Sequence, residues 1–247
     1  MKRFVTLVMF FFFLIHNVSA DSVRLVFPPG STSCFGVSPK MPNKDRMINF
    51  ALEQASIFAA KLDRSFCIFR MATLEQTYGG LNDGRVASFI VNVIAEWDDL
   101  EIYLRNFKHI GDHEYKGYQI YFFNFVEKEP CIMVIEHDDE IELSDTCLMV
   151  IDGVVISTAT ARHRYLDEAL DEAYKIALSE ISKYQDINVK TMHRGIDYFS
   201  ELATLLSSEN VVSDVRFYEV DIRYSILSNL GGYNVKVSLI KHFPKGE

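Results

Sequence analysis

What this chain of 247 residues has little of narrows its roles first. Basic residues are scarce, with 25 Lys and Arg against 34 Asp and Glu. Such a surface repels phosphate backbones and anionic lipid, which excludes a general nucleic-acid binder. Six prolines and 12 glycines are too few for collagen or a low-complexity linker. At 49% apolar and 24% charged residues, the composition is not that of a disordered chain. The four cysteines, Cys34, Cys67, Cys131 and Cys147, contain no Cys-x2-4-Cys pair, which argues against structural zinc. Gly-x-Ser-x-Gly, His-Glu-x-x-His and a Gly-rich phosphate loop are all missing, so the common hydrolase and nucleotide signatures are absent. No cofactor is implied. A Ser/His/Asp triad needs only to meet in space, and seven histidines carry little information about one.

What is present begins with compartment. Lys2 and Arg3 precede an apolar run from Phe4 to Ile15, and Val18-Ser19-Ala20 supplies small residues for a cut before Asp21. This predicts a secretory signal peptide over residues 1–20. The run is too short for a membrane span, which needs about 20 apolar residues, and no later stretch approaches that length. Without residues 1–20 the chain carries 23 basic and 34 acidic side chains, a net charge near −11. Outside Asn17-Val18-Ser19 there is no Asn-x-Ser/Thr sequon, which leans toward a bacterial periplasm or exterior. An even cysteine count in an oxidising compartment predicts two disulfides.

The chain also repeats itself. Ala51, Leu52, Ala55 and Ala59 match Ala169, Leu170, Ala173 and Ala177 at an offset of 118, and Gly117-Tyr118 matches Gly232-Tyr233 at an offset of 115. The stripes Met47, Ala51, Ala55, Phe58, Leu62 and Leu166, Ala169, Ala173, Ala177, Ile181 each mark one face of a helix. Asn43 is a plausible cap for the first. Strand-like runs surround each helix: Cys34–Ser38 and Val154–Ser157 before, Phe66–Phe69 and Ile187–Lys190 after. Closing runs follow at Glu101–Phe107 and Tyr118–Phe125, and at Val215–Ile222 and Tyr233–Ile240. Ile196–Leu206 reads as a second helix, while Val86–Trp97 fits helix and strand equally.

These runs predict an α+β fold of two similar domains, 21–127 and 148–247, each an Ala-rich helix packed on a mainly antiparallel sheet. Residues 128–147 form a connector that reads as a hairpin turning at Asp138-Asp139-Glu140. That hairpin would place Cys131 opposite Cys147, within disulfide reach, and leave Cys34 for Cys67.

Two polar clusters could carry chemistry. His109, Asp112, His113 and Glu114 could bind zinc if a turn gathers them. Glu136, His137, Asp138, Asp139, Glu140 and Glu142 could hold calcium, although the Asp-x-Asp-x-Asp-Gly register is missing. For both, the plainer expectation is a solvated turn with no metal. Tyr118, Tyr121, Phe122, Phe123 and Phe125 would be core if both faces of their strand are buried, and an interaction patch if one is open.

Gly36-Val37-Ser38-Pro39, the helices Ala51–Leu62 and Ala169–Ile181, Ile187-Asn188-Val189 and Gly232-Tyr233-Asn234-Val235-Lys236-Val237 recur in an order that resembles the Lpp-twenty lipoprotein family of bacterial envelopes. The order is also similar to the amino-terminal domain of flagellar assembly protein T. The resemblance covers most of residues 21–247 as two copies. It implies an α+β envelope module of non-enzymatic or unassigned role, and it supplies no catalytic residues. The chain departs from the lipoprotein pattern in having Asp21 where the lipid-accepting cysteine would stand, and the four cysteines are foreign to the pattern. The expectation is a secreted or periplasmic, non-catalytic module for protein interaction or assembly. Its partners would be other envelope or secreted proteins, and neither nucleic acid nor a membrane span is expected. The alternative is a secreted hydrolase with its site between the two domains.

Overall fold

Asn43 starts the first helix, α1 (Lys44–Asp63), by accepting from the Arg46 amide at 3.0 Å. Its stripe of Ala51, Ala55, Phe58 and Leu62 is buried. The computed structural model containing this helix describes residues 22–75, 85–95, 97–125, 132–137, 146–194, 209–227 and 230–243. Two further helices are described, α2 (Trp97–Asn106) and α3 (Leu166–Arg194). The first strands are β1 (Ser22–Val26), β2 (Cys34–Pro39), β3 (Arg64–Glu75), β4 (Arg85–Ile94), β5 (Lys108–Tyr115) and β6 (Tyr118–Asn124). After them come β7 (Met133–His137), β8 (Cys147–Ile151), β9 (Val154–His163), β10 (Glu209–Ser213), β11 (Val215–Leu227) and β12 (Leu230–His242). The fold is α+β with antiparallel sheets. No helix among the described residues is long and apolar enough to cross a membrane.

Three sheets organise these strands, in the orders β7-β1-β11-β12-β9-β8, β10-β3-β4 and β2-β6-β5. Helix α1 lies on β2 and β6, and α3 lies on β9 and β12. The two halves share a connectivity in which a strand enters a helix and, after intervening elements, a closing hairpin sets its last strand beside the first. That gives β2-β6-β5 in one half and β9-β12-β11 in the other.

The halves are not separate domains, however. β1 of the first half pairs with β11 of the second, and β10 of the second pairs with β3 of the first. One core spans both. Phe35 and Phe58 pack with Phe217 at 5.4 and 6.0 Å between ring centroids, and Phe58 packs on Tyr174 at 5.0 Å. The expected division at residues 127 and 148 therefore gives way to one interleaved body.

Three local expectations are corrected. The connector is not a hairpin, because β7 pairs with β1 and β8 with β9, at opposite edges of the six-stranded sheet. The competing signal was Asp152-Gly153, whose left-handed φ values of 49° and 81° form the two-residue turn between β8 and β9. Glu101–Phe107, expected as a strand, falls mostly in α2, where Asp98 and Asp99 fill the first turn and Arg105 the last. Ile187–Lys190 continues α3, because no Gly or Pro interrupts residues 166–194. Val86–Trp97 resolves mainly to strand, in β4. The expected helix Ile196–Leu206 lies outside the described residues.

Candidate functional site

The described members of the expected polar clusters are distributed over two strands. His109, Asp112, His113 and Glu114 lie along β5 rather than in a turn, with a bulge between His109 and Gly111. His109 Nε2 stands 3.8 Å from Asp112 Oδ1, and its ring meets the edge of Tyr121. Glu114 pairs with Lys40. His113 Nε2 reaches across to Glu136 Oε1 on β7 at 3.5 Å, so the two clusters touch through one pair. Among the described residues, no group of three or more His, Cys, Asp or Glu could hold a metal ion. Asp138, Asp139, Glu140 and Glu142 lie outside the described residues.

The aromatic strand is core, with Tyr118, Tyr121, Phe122 and Phe123 buried on both faces of β6. The expected Cys34–Cys67 bridge is not formed. Both thiols are free and buried, on strands of different sheets. Cys34 Sγ donates to the Ala55 carbonyl at 3.3 Å, beneath α1. Burial pushes Cys34 up to about 12 and Cys67 up to about 11. Cys147 is a free, exposed thiol at the start of β8, and Cys131 lies outside the described residues.

A groove of about 690 Å³ lies between α1 and α3. Phe50, Ile57 and Phe58 give it apolar surface, and Glu53, Asp167, Glu168, Asp171 and Glu172 give it carboxylates. No Lys or Arg is among these lining residues. Several of the acids are already engaged. Asp171 pairs with Lys175 and stands 3.9 Å from Lys61, and Glu168 takes His163 Nε2 at 2.8 Å. Glu53 and Glu172 have no ion pair among the described residues.

At Phe50, Asp167 and Glu168 the groove runs into a second cavity of about 530 Å³, walled by Tyr118, Tyr165, Tyr224 and Tyr233. Tyr118 and Tyr233 meet edge to face at 5.2 Å, and Tyr224 meets Tyr233 at 5.1 Å. The Tyr118 hydroxyl donates to Asp167 Oδ1 at 3.2 Å and accepts from the Leu166 amide, and the Tyr233 hydroxyl donates to the Lys116 carbonyl. Burial and then the Asp167 charge hold the Tyr118 phenol well above its ordinary value, and burial pushes Tyr233 up to about 12. Both remain neutral donors whose protons are already committed, and both rings are buried. Phe50 and Tyr165 are 43% and 48% exposed, which puts aromatic surface in reach of solvent where the cavities join.

Sequence reasoning reached neither cavity, because each takes its walls from segments more than a hundred residues apart. A signal was nonetheless present: Phe50, Glu53, Gln54 and Ile57 form a second helical stripe, beside the buried one. No family model, curated protein or solved structure matches this chain.

Proposed function

We propose that this protein is a secreted or periplasmic, non-catalytic module that binds another polypeptide, seating a segment of it between α1 and α3. The carrying observation is the continuous groove and tyrosine-lined cavity, which combine apolar surface with convergent polar groups as binding sites do. The charged, apolar start of the chain supports the placement outside the cytoplasm. The common connectivity of the halves supports an origin by tandem duplication, and the resemblance to the Lpp-twenty and flagellar assembly families belongs to the same reading.

The test is selection of random dodecapeptides of every charge class on the exported, processed protein. Selected peptides should lose at least about fivefold in affinity when Phe50→Ser removes the exposed ring from the groove. Failure to select any peptide sensitive to Phe50→Ser would overturn the docking reading. Turnover of ester, glycoside or peptide substrates that disappears with Asp167→Asn or Glu168→Gln would instead establish the hydrolase alternative.

A further inference from the structure

We infer that the groove selects a cationic segment, so that the partner presents Lys or Arg side chains along α1 and α3 and places one against the tyrosines. This rests on the docking reading and gives it a chemistry. Acidic side chains on a helix are ordinarily a solvated face. Here they border a cavity with apolar lining, and five carboxylates face it with no Lys or Arg among the lining residues, although Lys175 and Lys61 reach Asp171 from outside it and His163 holds Glu168. Glu53 and Glu172, one on each wall, carry no ion pair among the described residues and are open to a visiting charge.

The tyrosine end shares Asp167 and Glu168 with the groove and adds the exposed ring of Tyr165. Ring faces attract cations through their quadrupole. The Arg164 guanidinium already lies 5.8 Å from the centre of the Tyr165 ring at this cavity, and it is the single basic lining residue there. A cation entering from the groove meets Asp167 and Glu168 first, at the junction of the two cavities. An anionic segment would meet like charge along the α1–α3 groove. The stretch of α1 from Phe50 to Ile57 rises about 10 Å, which an extended segment covers in about three residues. With the tyrosine end added, a basic hexapeptide is a suitable probe.

The experiment is calorimetric titration of the exported protein with acetylated hexalysine, hexaserine and hexaglutamate. Hexalysine should bind, the other two should not, and its affinity should fall about tenfold between about 50 mM and about 300 mM salt. An acidic protein attracts oligolysine everywhere, so the decisive comparison is between two double variants of equal charge change. Glu53→Gln with Glu172→Gln should weaken hexalysine at least about fivefold, and Asp98→Asn with Asp152→Asn, outside the groove, less than about twofold. Equal weakening by both pairs, or hexaserine binding as tightly as hexalysine, would overturn the inference. If the peptides sensitive to Phe50→Ser prove neutral or acidic, the docking reading stands and this inference falls. If no peptide of any kind depends on the groove, both fall.

Discussion

Among the described residues, Asp221 is the least exposed charged side chain. It is 1% exposed on β11, and it is held by Arg24 Nε at 2.6 Å and Lys236 Nζ at 3.4 Å. A charge so placed is tolerable only when paired, which is what the two bases accomplish. Glu219, two residues away, shares Arg24 at 3.4 Å. Burial first, and the Asp221 charge second, push the Glu219 carboxyl above its ordinary 4.5, against the pull of Arg24 and Lys236. In the window just above 4.5 the folded protein therefore keeps a proton that the unfolded chain releases. Stability is lost as pH rises through that window. Glu219→Gln has no proton to release there. The difference in Tm between variant and parent should move in the variant's favour from about pH 4 to about pH 7, measured by circular dichroism melts in matched buffers. A gap constant with pH would mean that Glu219 titrates alike in both states. The thiols follow the same physics of burial: thiolate is the reactive form, and Cys34 and Cys67 are held as thiols at neutral pH.

The helix-on-sheet unit depends on close approach. At Gly36 on β2 an added Cβ would stand 1.9 Å from the Ala51 carbonyl oxygen of α1, a backbone atom that cannot swing aside. Gly36→Ala should therefore lower stability by about 1–3 kcal/mol, read as a shift in the denaturant midpoint, because helix and strand must separate. An unchanged midpoint would show that α1 lifts off β2 freely. The Ala51 and Ala55 stripe that permits this approach was legible in the sequence, as were its counterpart in α3, the Asn43 cap and the closing Gly-Tyr strands. Each is a local pattern with a single period. Residues 101–107 were not legible, because seven residues with Ile102 and Leu104 on one parity and Tyr103 and Phe107 on the other fit two periods at once. The acidic first turn at Asp98 and Asp99 settles the matter as helix. The hairpin around Asp139 failed for another reason. Symmetric spacing about a turn says which residues could pair, whereas β1 and β9 were the better partners for β7 and β8. The groove was hidden by the same non-local logic, since only the packed helices bring Glu53 and Glu172 to one cavity.

At the scale of the whole molecule, the question is whether two similar halves are also two folding units. The shared order β2-β6-β5 and β9-β12-β11 shows that each half holds a complete strand-helix-hairpin unit. Neither half closes its own core. Phe35 and Phe58 come from one and Tyr174 and Phe217 from the other, all buried in a single cluster. β1 leaves its own half to sit between β7 and β11, and β10 leaves its half to pair with β3. An isolated half would expose those rings and two unpaired strand edges, which is a recipe for aggregation. The full chain should consequently unfold in one transition with equal calorimetric and van't Hoff enthalpies. Residues 21–127 or 148–247 expressed alone should give no cooperative melt, and refolding the two together should restore one. Two resolved transitions, or a half that melts cooperatively alone, would reinstate the picture of separate domains. The outcome bears on binding as well, because α1 and α3 belong to different halves and the groove exists only where both are folded. A ligand held between them should raise the single transition as a whole, since separating the halves and releasing the ligand are then one event.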